Sequence, residues 1–257
     1  MASITFIVET SVSAPPDWLI DLGHSRIKWA RGHAGRLVTD SSGACPVDEL
    51  AELELALGGK TTARALVSGQ SNPEVVDAVS SLLLKAGLSL HAVTTGHPSL
   101  PVPPAYAQLG VDRWLALQRP WLEQRHGLCV IDCGTAITVD LVDDRGRHRG
   151  GWIMAGLGSL RHGLLSRARG LPAPTSEPFD LDQPATASAR AIASGTLLQA
   201  IGGIEQAVLR CEALLGRKLT PWLGGGDAGP IAAELRRPVT RADNLVLHGL
   251  ALAGAAL

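Results

Sequence analysis

The feature that most constrains the chain is a pattern that occurs twice. At Leu128–Asp144, LCVIDCGTAITVDLVDD, an apolar run delivers Asp132, Gly134 and the Thr135 hydroxyl into one turn, after which Ile137, Val139 and Leu141 alternate with Thr138, Asp140 and Val142. Leu128–Ile131 has the composition of a strand covered on both faces, so the stretch reads as a buried strand, a chemically equipped turn and a return strand. Trp18–Lys28, WLIDLGHSRIK, repeats the design, with Asp21, Gly23 and Ser25 in the turn and Ile27 and Trp29 alternating on the way back. In such a turn a glycine lets backbone N–H groups approach an anion, a hydroxyl donates to it, and a carboxylate holds a cation beside it. Asp-x-Gly-Thr alone is equally an ordinary hairpin turn. Two copies imply two half-domains facing one ligand.

A chain of 257 residues accommodates one large domain or two of about 100–150 residues, and the duplication favours two. With 46% hydrophobic and 18% charged residues and a formal net charge of −1, the chain exerts no long-range pull on nucleic acid or an anionic membrane, so neither is expected as a partner. The nearest approach to a basic cluster, Arg161 through Arg169, reads as the solvated face of a helix whose other side carries Leu160, Leu164, Leu165 and Ala168. Cys45, Cys129, Cys133 and Cys211 lack paired C-x-x-C spacing and read as reduced thiols of a cytoplasmic protein. Ile4–Val8 is too short for a signal-peptide core, no basic residue precedes it, and no window approaches a transmembrane length.

Along the chain, a turn is expected at Gly32–Gly35 and a buried strand at Ala63–Ser68. Ser71-Asn72-Pro73 then starts a helix with an apolar stripe at Val75, Val76, Val79, Leu82 and Leu83, stopped by Gly87. Leu88–Val93 is the next strand, His97–Pro104 a loop, and Gly110-Val111-Asp112-Arg113 opens a helix. After the central hairpin come a strand at His148–Met154, a helix over Ser159–Arg169 and a mobile loop at Pro172–Thr186. A long helix starts at Ser188 with Ile192, Leu198, Ile201, Val208 and Leu209 on its apolar side. Trp222-Leu223 runs into a glycine turn at Gly224-Gly225-Gly226-Asp227, and Asn244–Leu257 is an apolar closing helix.

Taken in order, Asp21-Leu22-Gly23-His24-Ser25-Arg26-Ile27-Lys28, Gly110–Arg113, Asp132–Thr135 with Asp140, Gly150-Gly151, and Gly225-Gly226-Asp227 resemble the type III pantothenate kinases, and the match covers nearly everything from Trp18 onward. The resemblance implies an α/β fold of two ribonuclease-H-like, actin-like domains, each a mixed five-stranded sheet flanked by helices. Residues 1–16 would be an extension, 17–122 the first domain and 123–257 the second. It implies ATP-dependent phosphorylation of pantothenate to 4'-phosphopantothenate, the first step of coenzyme A biosynthesis, in a homodimer. Residues Asp21 to Lys28 would form the first phosphate loop, and Thr135, Gly225 and Gly226 further ATP contacts. Asp21 would hold Mg²⁺ and Asp132 a monovalent cation, K⁺ or NH₄⁺. Gly110, Val111, Asp112 and Arg113 would hold pantothenate, with Asp112 as proton acceptor, and Ser188 falls where the family has a substrate-contacting threonine.

Three positions depart from the family pattern. His24 replaces an asparagine, Ala155 replaces a proline before Gly156, and Pro103 stands where a tyrosine often faces the substrate. Tyr106, nearby but out of register, is assigned to the substrate site in its place. Bare residue chemistry leaves two alternatives open: Asp112 as nothing more than a helix cap with Arg113 in a surface ion pair, and the whole chain as a non-catalytic accessory or regulatory protein on the same scaffold.

Overall fold

Each hairpin founds a sheet. The computed structural model describes residues 15–69, 71–175 and 181–255, so the expected extension lies outside the described residues except for Pro15 and Pro16, as does part of the loop at 172–186. The first sheet grows from β1 (Asp17–Leu22) and β2 (Arg26–His33), paired antiparallel with Asp21 opposite Lys28. It is extended by β3 (Arg36–Leu37) and β4 (Gly43–Pro46), both on β2. Helix α1 (Ala51–Leu57) leads to β5 (Arg64–Gly69), which lies parallel to β1. Then α2 (Pro73–Lys85) crosses to β6 (Ser89–Ala92), parallel to β5. The Asn72 side chain caps α2 by accepting from the Val75 N–H at 3.1 Å, and Pro73 takes the first helical position, where no N–H is needed.

Helices α3 (Val111–Ala116) and α4 (Gln118–Gln124) carry the chain to the second sheet. There β7 (Leu128–Cys133), β8 (Ala136–Val142) and β9 (His148–Ala155) form an antiparallel meander. Helices α5 (Leu157–Arg167) and α6 (Ser188–Leu215) precede β10 (Trp222–Gly224), which is parallel to β7. Helix α7 (Ala228–Glu234), β11 (Thr240–Arg241) and α8 (Leu245–Gly254) complete the order. Counting strands within each half and leaving β4 aside, both sheets read third, second, first, fourth, fifth, which is the ribonuclease-H-like arrangement of two actin-like domains.

Three apolar clusters stack the layers. Leu53, Leu57, Val79 and Leu83 of α1 and α2 cover the face of the first sheet that carries Trp18, Ile20 and Ile27. Leu197, Ile204 and Val208 of α6 and Ile231 of α7 cover Ile131, Ile137 and Val139 of the second. Between the sheets, Trp114 and Leu115 of α3, Trp121 of α4, and Leu247 and Leu250 of α8 bridge Leu19, Ala30 and Leu66 to Leu128, Val130 and Trp222. Each fully buried leucine of that middle layer contributes about 1.5–3 kcal/mol.

Several expectations are corrected here. Helix α5 starts two residues earlier than expected and its only buried residue is Leu157; Leu164 is exposed, so the helix has no buried leucine stripe within this chain. On α6, Leu198 and Leu209 are exposed, while Ile192 and Val208 are buried. The closing helix α8 lies in the layer between the sheets, and at its end the Arg64 guanidinium of the first sheet donates to the Gly254 carbonyl at 3.0 Å and pairs with Asp17. All four cysteines are free and buried, and burial pushes the Cys133 thiol up to about 12. Among the described residues, no helix is long and apolar enough to cross a membrane.

Candidate active site

The turns of the two hairpins meet. Ser25, between β1 and β2, and Thr135, between β7 and β8, are hydrogen-bonded through their hydroxyls at 2.8 Å, and both are exposed. Turn geometry makes this possible: the Gly23 N–H donates to the Arg26 carbonyl and the Gly134 N–H to the Ala136 carbonyl, closing both turns tightly. Those two glycine N–H groups are therefore spent on the turns, and the paired hydroxyls remain for an anion. The Thr135 carbonyl, in turn, accepts from the Gly156 N–H at 3.0 Å and the Ser159 hydroxyl at 2.7 Å, which anchors the second turn to the start of α5.

Behind the turns stand acidic groups. Asp21, next to last in β1, has its Oδ1 buried and without a hydrogen-bond partner. Burial pushes its carboxyl from 3.8 up to about 7; Lys28 opposes the shift, and the nearby charges of Asp112 and Asp132 add to it. The Asp132 carboxyl is also raised, burial first, with Lys28 again opposing and the charges of Asp112 and Asp140 adding to the shift. An unpartnered buried carboxylate oxygen among other carboxylates is a place a cation relieves. No group of three or more His, Cys, Asp or Glu among the described residues is arranged to hold a metal. Lys28, half-buried and opposite Asp21 in register, lies near enough to both carboxylates for its charge to favour their ionised forms.

The N-terminus of α3 supplies the third side. Gly110 is its cap, and a Cβ there would sit 2.6 Å from the Asp112 Oδ1, so only glycine leaves that carboxylate its place. Asp112 is exposed and its Oδ1 accepts from the Arg113 N–H at 2.8 Å. The Arg113 side chain turns the other way, into a buried pair with Asp140, Nε to Oδ2 at 3.0 Å and Nη2 to Oδ1 at 2.7 Å. This replaces the surface ion pair that residue chemistry left open. Burial works against the Arg113 charge, but the paired Asp140 outweighs it and holds the guanidinium above its ordinary value. Arg113 Nη1 also donates to the Tyr106 hydroxyl at 2.9 Å, which brings Tyr106 to this corner while Pro103 is exposed elsewhere on the loop.

The glycine turn after β10 docks on the second hairpin. Gly225 has φ +96°, and a Cβ there would lie within 2.6 Å of the Cys133 backbone, so its role is close packing; Gly226 borders open space. The Asp227 N–H donates to the Cys133 carbonyl at 3.0 Å, and its carboxylate accepts from the Leu157 N–H.

Not every expected site residue presents its side chain. Leu22, Ile27 and Val111 are buried in the apolar clusters, so only their backbone can meet a ligand. His24 and Arg26 are exposed, with Arg26 donating to the Ala44 carbonyl at 3.2 Å. Ser188 lies apart, in a groove of about 350 Å³ between α5 and α6 lined also by Leu164, Leu171, Ile192 and Thr196, with no part of Gly110–Arg113 in its wall. Two polar residues escaped sequence reasoning: Ser68, opposite Asp21 in register with an equally unpartnered Oγ, and His148, buried on Asp140. A lone serine at a strand end carries no signal, and His148 became visible only through its partner.

Comparison with known proteins decides the family. Residues 18–210 match the family model described as type III pantothenate kinase. The chain belongs to the type III pantothenate kinase family. Relatives bearing that family's name include one from Alkalilimnicola ehrlichii, 35% identical over 248 residues covering 92% of this chain and 97% of that one. Another, from Pseudomonas paraeruginosa, is 36% identical over 251 residues, 91% of this chain and 97% of the relative. Among solved structures, a conserved Baf family protein from Campylobacter jejuni superposes with a TM-score of 0.60 at 18% identity, covering 92% of this chain and 96% of that one, which speaks for the fold alone. As a member of the pantothenate kinase family, the chain brings the turns of its two hairpins and the start of α3 together, with Ser25 bonded to Thr135 and the charge of Asp112 felt by both Asp21 and Asp132.

Proposed function

We propose that this chain transfers the γ-phosphoryl group of ATP to the primary hydroxyl of pantothenate, giving 4'-phosphopantothenate and ADP. The observation that carries the reading is the 2.8 Å meeting of Ser25 and Thr135, because it closes two duplicated phosphate turns over one site beside the α3 motif of a pantothenate kinase family member. In this reading Asp112 takes the hydroxyl proton as the acceptor oxygen bonds to phosphorus and the bond to ADP breaks. Its exposure, its place at the first turn of α3 and its electrostatic reach to Asp21 and Asp132 support that role. Arg113 and Tyr106 orient the acceptor, and the turn from Asp21 to Lys28, with Thr135 and the Gly225-Gly226 turn, holds the nucleotide.

Asp21, with its unpartnered oxygen, is the residue that would hold Mg²⁺, and Asp132 the one that would hold K⁺ or NH₄⁺. The cations would supply charge neutralisation at the transferring phosphates. Ser188 belongs to a groove that excludes Gly110–Arg113, so it would serve the acceptor of a second copy, which supports a homodimer built on the exposed apolar side of α5 and α6. A division near residues 122 and 123 then makes α8 a strap from the second domain to the first. The four free thiols fit a cytoplasmic protein.

A coupled assay tests the reading: ADP formation that depends on pantothenate is expected. ATP binding without pantothenate-dependent ADP would instead identify a non-catalytic accessory protein.

A further inference from the structure

We propose that His148 is a positioning residue for the acceptor, acting through Asp140 on Arg113. The inference rests on the acceptor role given above to Arg113. Four contacts carry it. Asp140 Oδ1 accepts from both Arg113 Nη2 at 2.7 Å and His148 Nε2 at 2.8 Å, while Asp140 Oδ2 accepts from Arg113 Nε at 3.0 Å. On the far side of the ring, His148 Nδ1 accepts from the Ala105 N–H at 3.3 Å.

That last contact settles the proton. A backbone N–H can only donate, so Nδ1 carries the lone pair and Nε2 carries the hydrogen that reaches Asp140. The imidazole is therefore a fixed wedge between the loop that bears Tyr106 and the carboxylate that aims Arg113. All three side chains of the cluster are shielded: Arg113, Asp140 and His148 expose 8%, 2% and 0% of their side chains. Three of the five guanidinium N–H groups are committed, two to Asp140 and one to Tyr106. One N–H remains on each terminal nitrogen, and the tilt of the Asp140 carboxylate decides where those two point.

The backbone is shaped for this contact. Asp140 pairs with Gly151, and a regular antiparallel ladder would then set Val142 opposite Arg149; instead Val142 pairs with His148 across a register shift. The extra residue, with φ +92° at Gly150, puts His148 and not Arg149 on the face of the sheet that carries Asp140. Gly151 completes the arrangement, since a Cβ there would lie 2.7 Å from Asp140 Oδ1.

Two polar substitutions separate the arms of the ring. The amide of His148→Asn falls near the Nδ1 position and cannot also reach Asp140, whereas that of His148→Gln reaches the Nε2 position and can still donate. Losing one hydrogen bond to a charged group that acts only through Arg113 should raise the acceptor KM about fivefold or more in His148→Asn, with the ATP KM within about twofold. His148→Gln should rescue the acceptor KM to within about twofold of the parent, and His148→Asn should add little to Arg113→Lys, because both cut one pathway. The second readout is the Arg113 Nε–H signal in ¹⁵N NMR, identified by its loss in Arg113→Lys: sharp in the parent and in His148→Gln, broadened in His148→Asn. A folded His148→Asn with an unchanged acceptor KM and an unchanged Arg113 signal overturns the proposal, as does an equal rise in the ATP KM. If the parent forms no ADP with pantothenate, the reading of the function fails, and the NMR signal still decides whether His148 holds Arg113.

Discussion

Asp21→Asn should make the ligand-free protein more stable as the pH rises while abolishing most of its turnover. The buried carboxyl is pushed from 3.8 to about 7, above all by desolvation and further by Asp112 and Asp132. For an acid whose value is raised by folding, both states are neutral below about 3.8 and the group costs nothing. From there upward the unfolded chain ionises first, and the penalty grows until the folded carboxyl ionises too, near 7. Between pH 5 and pH 7 each unit is worth about 1.36 kcal/mol, so the parent should lose roughly 2–4 kcal/mol relative to Asp21→Asn between pH 5 and pH 8. Urea unfolding of both proteins in metal-free buffer at several pH values measures this, and the difference between them removes most contributions from other groups. A difference that stays flat within about 0.5 kcal/mol across that range would refute the claim that Asp21 is desolvated in the folded state. The same charge that destabilises the empty protein is what a magnesium nucleotide would find waiting, so the variant should also show steeply reduced kcat at saturating Mg²⁺.

Other outcomes follow from the site. Asp112→Asn keeps a side-chain oxygen for the Arg113 N–H but removes the proton acceptor, so a folded, ATP-binding variant with kcat down roughly 10²–10⁴-fold is expected; a loss below about tenfold returns Asp112 to a capping role. Activity should require K⁺ or NH₄⁺ besides Mg²⁺, and full rates in Tris with Na⁺ alone, unchanged on adding K⁺, would remove the monovalent cation from Asp132. Gly225→Ala should lower the unfolding midpoint, at a cost of about 1–3 kcal/mol or more, because it combines φ +96° with a Cβ driven into Cys133, whereas Gly226→Ala, bordering open space, should change it little. Equal midpoints for the two would contradict the packing of this turn.

The hairpins, the crossover helix α2 and the glycine turn were legible because each is dictated locally: by alternation, by Asn72-Pro73 as a helix start, by glycine where the backbone must turn. Residues 36–62, which form β3, β4 and α1, gave no reading, since strands as short as Arg36–Leu37 are held by β2 and not by their own pattern. Leu164, Leu198 and Leu209 show the opposite failure, in which a correct helical period points apolar side chains to a surface that this chain leaves open. At the site, the order of motifs singles out Asp21, Asp112 and Asp132, whose charges the fold brings within reach of one another, but the burial of Arg113 on Asp140 was invisible: in an alternating strand, an aspartate facing solvent and one facing an arginine in the core are written the same way.

Helix α8 follows every strand of both sheets in the chain, yet it covers the Leu19, Ala30 and Leu66 face of the first sheet, and Arg64 reaches its Gly254 carbonyl across 190 positions. On a ribosome, the earliest sheet to emerge would therefore wait for almost the whole of translation with only α3 and the loop before it on that face. Contacts at such separation slow folding, because a long loop must close before they reward it. The half-finished product would present apolar surface to chaperones. Released on its own, the leading half would be a sheet missing the α8 part of its cover, so splitting the gene between the two duplicated hairpins would leave that apolar surface open.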